Sequence, residues 1–338
     1  LTARLRLTLR VAMAAALVAC APGCVSRTLG PQLIAVPAPI PSSELSDVTL
    51  QVGDQKGGTE ALLRAANVLD GLPYRIAFST FTSGPPQIEA LTAGKIDFAI
   101  TGNTPPVFGA AANSKTRVVS VWDGASAGEQ TLVRTDSSIT SGRDLKGKTI
   151  LVAKGSAAHA NVLEHLSDAG LKPNDVKLVF LQPADAFSAF ANGQGDAWVI
   201  WEPYTSQANL RLKVRNIGTA ENGYWFGSAS INALTDPKRN SALADLLVRY
   251  QKAAQWARGN PSEWAEKYAK AVGLDLKVAA LAQSHLLRLP IPLDDKVVAA
   301  EQRLADLFAA ADQIPEAPDF AKWVDRRFNT VLAASGTT

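Results

Sequence analysis

Four stretches of the sequence combine glycine with hydroxyl, amide or imidazole side chains. They are Gly53-Asp54-Gln55-Lys56-Gly57-Gly58, residues 79–86 (S-T-F-T-S-G-P-P), Thr101-Gly102-Asn103-Thr104-Pro105-Pro106 and Lys154-Gly155-Ser156-Ala157-Ala158-His159. Each follows a run that reads as a strand and precedes one that reads as a helix. Helix N-termini present free N–H groups and a partial positive charge, so they hold anions without a full cation. Hydroxyls add donors, and glycine lets the backbone come close. Taken singly, each loop reads as an ordinary helix cap. Four together suit a small oxyanion: a sulfonate, sulfate, carboxylate or nitrate. Trp201, Tyr204 and Trp225 stand near strand ends, where aromatics either wall a ligand's organic tail or pack the core.

Catalytic patterns are sparse. His159 and His165 do not form an H-E-x-x-H pair, and His285 is remote from both. There is no G-x-S-x-G elbow and no G-x-x-x-x-G-K-[ST] phosphate loop. His159 at a helix start reads as a hydrogen-bonding residue rather than a base. The expectation is a binder with no catalytic residue, no metal and no cofactor.

The elements that must position these loops alternate. Residues 48–52, 74–78 and 98–101 read as strands, and 59–69, 86–93 and 106–112 as helices. The pattern restarts with strands 149–153, 177–181 and 197–200 and helices 158–169 and 185–191. Strand–helix alternation predicts parallel-sheet α/β units, and residues 240–335 read as mostly helical. The halves resemble one another: Gly94 corresponds to Gly193 and Asp97 to Asp196, each as helix, glycine stop, turn, Asp and buried strand. Two such units predict two facing lobes, with ligands bound beyond the carboxyl ends of their strands.

The charge is unevenly placed. The 338 residues carry 34 Lys+Arg and 31 Asp+Glu, net +3. Arg4, Arg6 and Arg10 are the only charged side chains before Cys20, so the remainder balances at 31 against 31. A body without basic excess argues against nucleic acid. Three arginines, an apolar stretch over 11–19 and small residues at a cysteine make an export signal, too short to span a membrane. Leu17-Val18-Ala19-Cys20 resembles a lipoprotein box. Its expected outcome is cleavage before a diacylated Cys20, with Cys24 the weaker candidate. The proline-rich residues 20–46 then read as a tether, with the fold starting near Val48.

Longer runs carry a family resemblance. G-D-Q-K-G-G (53–58), S-G-P-P-Q-I-E-A-L (83–91), G-K-I-D-F-A-I-T-G-N-T-P-P (94–106), D-L-K-G-K-T-I-L-V-A-K-G-S-A-A-H (144–159) and G-D-A-W-V-I-W-E-P-Y (195–204) resemble the aliphatic-sulfonate-binding proteins of ABC importers. These belong with the taurine and nitrate binders. The resemblance implies an α/β, type II periplasmic-binding fold of two lobes, residues 47–135 plus 232–338 and residues 136–231. A two-segment hinge joins them near 130–135 and 226–233. It implies closure around a small organic anion and delivery to an ABC permease with a separate ATPase. The binder is expected to be monomeric, outside the cell membrane and held there through Cys20. Carried over by motif position, Gln55, Ser83, Gly84, Thr101, Gly102, Ser156 and His159 line the anion site, with Trp201 and Glu202 facing the cleft. Asn103, Ala157, Ala160 and Glu202 depart from the family pattern, which leaves open a larger or more apolar ligand. Taurine, nitrate or a thiamine precursor are the alternatives within the class. An enzyme on the same bilobed fold is the alternative outside it.

Overall fold

A computed structural model describes residues 33–56 and 58–335. The export segment, Cys20, Cys24 and Gly57 lie outside the described residues. In chain order the first part runs β1 (Thr49–Gln55), α1 (Thr59–Ala65), β2 (Arg75–Phe81), α2 (Gly84–Thr92), β3 (Phe98–Gly102), α3 (Thr104–Ala111) and β4 (Thr116–Gly124). The second part runs β5 (Gln130–Arg134), β6 (Thr149–Val152), α4 (Ala157–Asp168), β7 (Lys177–Phe180), α5 (Pro183–Ala191), β8 (Ala197–Ile200), α6 (Tyr204–Arg211) and β9 (Val214–Thr219). The chain then continues with β10 (Trp225–Ser230), α7 (Ile231–Thr235), α8 (Pro237–Gly259), α9 (Pro261–Val272), α10 (Leu276–Leu286), β11 (Arg288–Ile291), α11 (Asp295–Ala310) and α12 (Asn329–Ser335).

The strands form two sheets, ordered β11-β4-β10-β3-β1-β2 and β7-β6-β8-β5-β9. Each has a parallel centre, β2-β1-β3 in lobe I and β7-β6-β8 in lobe II, extended by antiparallel strands. Strands covered on both faces read as continuous apolar runs. That explains why β3 and β8 are buried along almost their whole length. Helices cover both faces of each sheet, and helix α4 of lobe II also packs Ala160 and Leu163 against α3 and α11 of lobe I.

The internal repeat has a shared physical cause. Gly94 and Gly193 end α2 and α5 with left-handed φ of 66° and 79°, a conformation glycine adopts without strain. Three residues on, Asp97 Oδ2 accepts the Gln51 N–H at 2.9 Å and Asp196 Oδ2 accepts the Thr149 N–H at 2.8 Å. Each aspartate thereby ties the start of the central strand to its neighbour.

The lobe crossings fall earlier than the sequence suggests. Residues 125–129 join β4 to β5, and residues 220–224 join β9 to β10. Strand β5 already belongs to the second sheet and β10 already to the first. Their polar residues Gln130, Thr131, Ser228 and Ser230 conceal strands that are buried on both faces. The packed body also begins before Val48. Leu45 is buried, Ile34 and Ile40 pack on the lobe I core, and the Ile40 N–H donates to Ser241 Oγ at 2.9 Å. These apolar residues alternate with the prolines and hold residues 33–46 on the surface of lobe I.

Candidate functional site

The carboxyl ends of the parallel strands face one another between the lobes. There they enclose a small inner chamber of about 20 Å³. All four glycine-rich loops reach it: Gln55 from the end of β1, Gly84 from the start of α2, Gly102 and Pro105 at the β3–α3 turn, Ser156 and Ala157 at the start of α4. Trp201 follows β8, Trp225 opens β10, and Glu129 comes from the first crossing. None of the described residues lining the chamber is a lysine or arginine. Backbone N–H groups are therefore the donors that it offers an anion. The His159 N–H in the first turn of α4 already donates to the Ser156 carbonyl at 2.9 Å, so the Ala157 and Ala158 N–H groups are the ones without an intrahelical acceptor. Pro85, Pro86, Pro105 and Pro106 remove donors from α2 and α3, so Gly84 and Thr104 supply what those two helices offer.

Gln55, Trp201 and Trp225 also line an adjoining cavity of about 570 Å³. Its walls include Phe81, Tyr204 and Tyr268, with Lys56, Gln182, Asp185 and Glu202 among the polar groups. The lobes touch around the chamber. The Ser83 hydroxyl donates to Gln182 Oε1 across the cleft at 3.2 Å. A Cβ placed on Gly102 would lie 2.8 Å from the Ala157 Cβ. Glycine is therefore what lets the end of β3 approach the start of α4.

The remaining expected residues stand behind the wall. Thr101 Oγ1 donates to the Gly102 carbonyl at 3.0 Å, and Asn103 Oδ1 accepts from Thr104 Oγ1 at 3.0 Å. Ser156 lines the chamber while its hydroxyl donates to the Ala153 carbonyl at 2.7 Å, leaving lone pairs but no second proton. His159 is fully buried beside the cleft rather than in it. Its ring lies 5.3 Å from Phe180 and 5.2 Å from Phe308, both edge-on, and 6.4 Å from Phe108. Its Nδ1 accepts the Gly155 N–H at 3.2 Å. Burial first, and the Lys154 charge second, lower its pKa to about 4, so the ring is neutral. Its role there is to shape the Gly155–Ser156 turn. Phe108 and Phe308 are far from His159 in sequence, so this placement had no local signal.

Glu202 lies on the wall of the larger cavity and is fully satisfied. It accepts from the Ser206 N–H at 3.1 Å, the Ser206 hydroxyl at 2.8 Å and His285 Nδ1 at 2.8 Å. Its partner His285 comes from α10 of lobe I, so this pair joins the lobes beside the first crossing. Two groups escaped the sequence reading, Glu129 and Tyr268; Arg288, whose Arg-Leu-Pro run stands where the family has an Arg-Pro segment, adds a buried cation beside Glu129. The Arg288 guanidinium stacks 4.2 Å from the centre of the Trp225 ring and donates from Nε to the Gly223 carbonyl at 3.1 Å. Burial lowers its pKa to about 10, against the opposing charge of Glu129, so it remains a cation near neutral pH. Among the described residues no group of His, Cys, Asp and Glu could hold a metal ion.

Two facing α/β lobes, twice crossed, with a chamber at their strand ends, define a type II periplasmic-binding-protein fold. A family model described as NMT1/THI5 like matches residues 79–264. A protein of Escherichia coli (strain K12) described as an aliphatic sulfonates-binding protein is 34% identical over 283 residues, covering 82% of this chain and 89% of that one. The alkanesulfonate-binding protein SsuA from Xanthomonas axonopodis pv. citri, solved bound to MOPS, superposes with a TM-score of 0.76 at 30% identity, over 83% of this chain and 99% of that one. The periplasmic aliphatic sulphonate binding protein SsuA of Escherichia coli superposes with a TM-score of 0.73 at 30% identity, over 83% and 93% of the two chains. The chain belongs to the NMT1/THI5-like family, and the relatives named above are binding proteins.

Proposed function

We propose that this protein is the exported solute-binding component of an ABC importer and captures an aliphatic sulfonate, or a related organosulfur anion, between its lobes. The observation that carries the reading is the inner chamber. Helix starts and glycine-rich strand ends from both lobes converge on one point, with no lysine or arginine among the described residues that line it. Such a site suits a singly charged oxyanion held by local dipoles. The larger cavity supports an organic tail, since its volume lies within the range of small-molecule pockets and its walls are aromatic. A sulfonate head group is wider than the chamber as it stands, so seating it requires a small opening of the lobes about residues 125–129 and 220–224. Capture then draws the lobes together, because ligand contacts from both sides exist only in the closed form.

The N-terminal arginines, the apolar stretch and Cys20 support a mature protein held by a lipid on the outer face of a membrane. A permease with a separate ATPase would receive the ligand. Thermal unfolding against alkanesulfonates of increasing chain length, taurine, sulfate, nitrate and carboxylates tests the reading. A sulfonate at 100 times its Kd stabilises the folded protein by about 2.7 kcal/mol. Longer alkyl chains are expected to bind more tightly than methanesulfonate. No shift with any sulfonate, alongside a clear shift with nitrate or a carboxylate, sinks it.

A further inference from the structure

Glu129 is a carboxyl in what the preceding section reads as an anion chamber. It sits between the 3-10 turn Ser126–Gly128 and β5, in the first crossing, and is only 4% exposed. It lines the inner chamber together with the helix starts. Its side chain accepts no hydrogen bond and forms no ion pair with any described residue. Its N–H alone is bonded, to the Ser126 carbonyl at 2.9 Å. Buried carboxyls ordinarily have partners, and the open side of this one is the chamber.

An ionised carboxylate and an anionic head group sharing so small a space repel one another, with little water to screen them. One proton between them turns that repulsion into a hydrogen bond, with Glu129 Oε–H donating to an oxyanion oxygen. We propose that Glu129 is a ligand-binding residue that acts as a neutral acid, so that the protein takes up one proton with each sulfonate it captures. The inference rests on the sulfonate reading above.

The surroundings allow this. Arg288 of β11 is the cation that acts on Glu129, and its guanidinium is committed to the Trp225 face and the Gly223 and Leu286 carbonyls. Glu164 of α4 adds negative charge near Glu129. His285 of α10 and Glu202 touch the neighbouring Gly128 position, but they are paired with each other. His165 of α4 is bonded to Thr131 and the Thr219 carbonyl and is held below its ordinary pKa by burial. Burial raises Glu129 itself to about 7, against the lowering effect of Arg288. The free protein therefore holds this proton in acid and releases it in mild alkali.

The test is calorimetric titration with 1-butanesulfonate, whose charge is fixed across the range, between pH 5.5 and 9. Paired buffers of different ionisation enthalpy report protons taken up per ligand. Uptake is expected near zero at pH 5.5 and to approach one above pH 8, with Kd rising about tenfold per pH unit above 7. The isosteric Glu129→Gln keeps a donor without a titrating proton. It should bind at pH 8 at least as tightly as wild type does at pH 5.5, with no uptake. Measurable binding with flat affinity and no uptake in wild type overturns the inference and leaves the sulfonate reading intact. So does a Glu129→Gln protein that loses butanesulfonate at every pH. Preference for an amine-bearing sulfonate that vanishes only in Glu129→Gln, without proton uptake, also overturns it, since the carboxyl is then ionised and pairs with the ligand's cation. Absence of binding at any pH overturns the sulfonate reading, and this inference with it.

Discussion

Asp97 and Asp196 look like surface turn residues in a linear reading. In the structure they are ties between strands. Asp196 accepts the Thr149 N–H through its carboxylate, while its own N–H donates to the Thr149 carbonyl at 2.8 Å. Asp97 does the same with Gln51 and adds an ion pair to Arg239 at 3.4 Å. Removing such an acceptor leaves a strand-end N–H without its partner, at a cost of about 1–3 kcal/mol. Asp196→Ala is expected to lower the unfolding free energy in urea by that amount. Asp196→Asn should cost less, because its amide oxygen can still accept. If the two variants were equally stable and indistinguishable from wild type, the tie would have no energetic role. The same substitution at Asp97 would also remove the ion pair to Arg239, so its cost would combine two losses.

At the scale of elements, the approach of β3 to α4 sets how far the lobes can close. Gly102 has no positive φ in this structure, so its glycine is needed for space and not for backbone conformation. Gly102→Val should therefore fold normally and prop the strand end away from Ala157. The expected result is at least a tenfold loss of sulfonate affinity with the ligand-free melting temperature changed by less than a few degrees. Calorimetry and thermal unfolding measure the two halves, and unaltered affinity would falsify the close-approach argument. The same elements show what was legible in the sequence. The glycine–aspartate repeat could be read because the same backbone job recurs at both places. The four loops could be read because strand-to-helix punctuation is local. The crossings could not, because Gln130, Thr131, Ser228 and Ser230 are polar residues in buried antiparallel strands. Nor could Glu129, which belongs to no motif and reaches the chamber only once residues 125–129 bridge the lobes. The side of the cleft that His159 takes is decided by Phe108 and Phe308 of the other lobe.

At the scale of the whole molecule, the balanced charge hides an internal asymmetry. Several carboxyls are buried with too few donors. Glu301 is fully buried with neither oxygen bonded, and burial holds its pKa well above the ordinary value. Burial likewise raises Asp54, Glu129 and Glu164 to about 7, with Glu221 adding to the rise at Glu164. A carboxyl whose folded pKa exceeds its unfolded one makes the folded state bind more protons. Its contribution is fully present below the unfolded value near 4 and is lost as pH rises to about 7. Each such group contributes up to about 1.4 kcal/mol per pH unit within that window. His159, lowered to about 4, works in the opposite sense between about 4 and 6.5, but it is outnumbered. Asp144, lowered to about 2 by its Thr140 and Ser141 partners, acts at lower pH. The ligand-free protein is therefore expected to lose stability steadily from pH 5 to 7.5, measured by urea denaturation at half-unit intervals. Glu301→Gln should flatten that slope and raise stability at pH 7.5, because its amide has no charge to keep out of water. Stability that climbs across the interval would mean that these carboxyls are ionised and satisfied in the folded protein, and that Glu129 has no proton to offer an incoming anion.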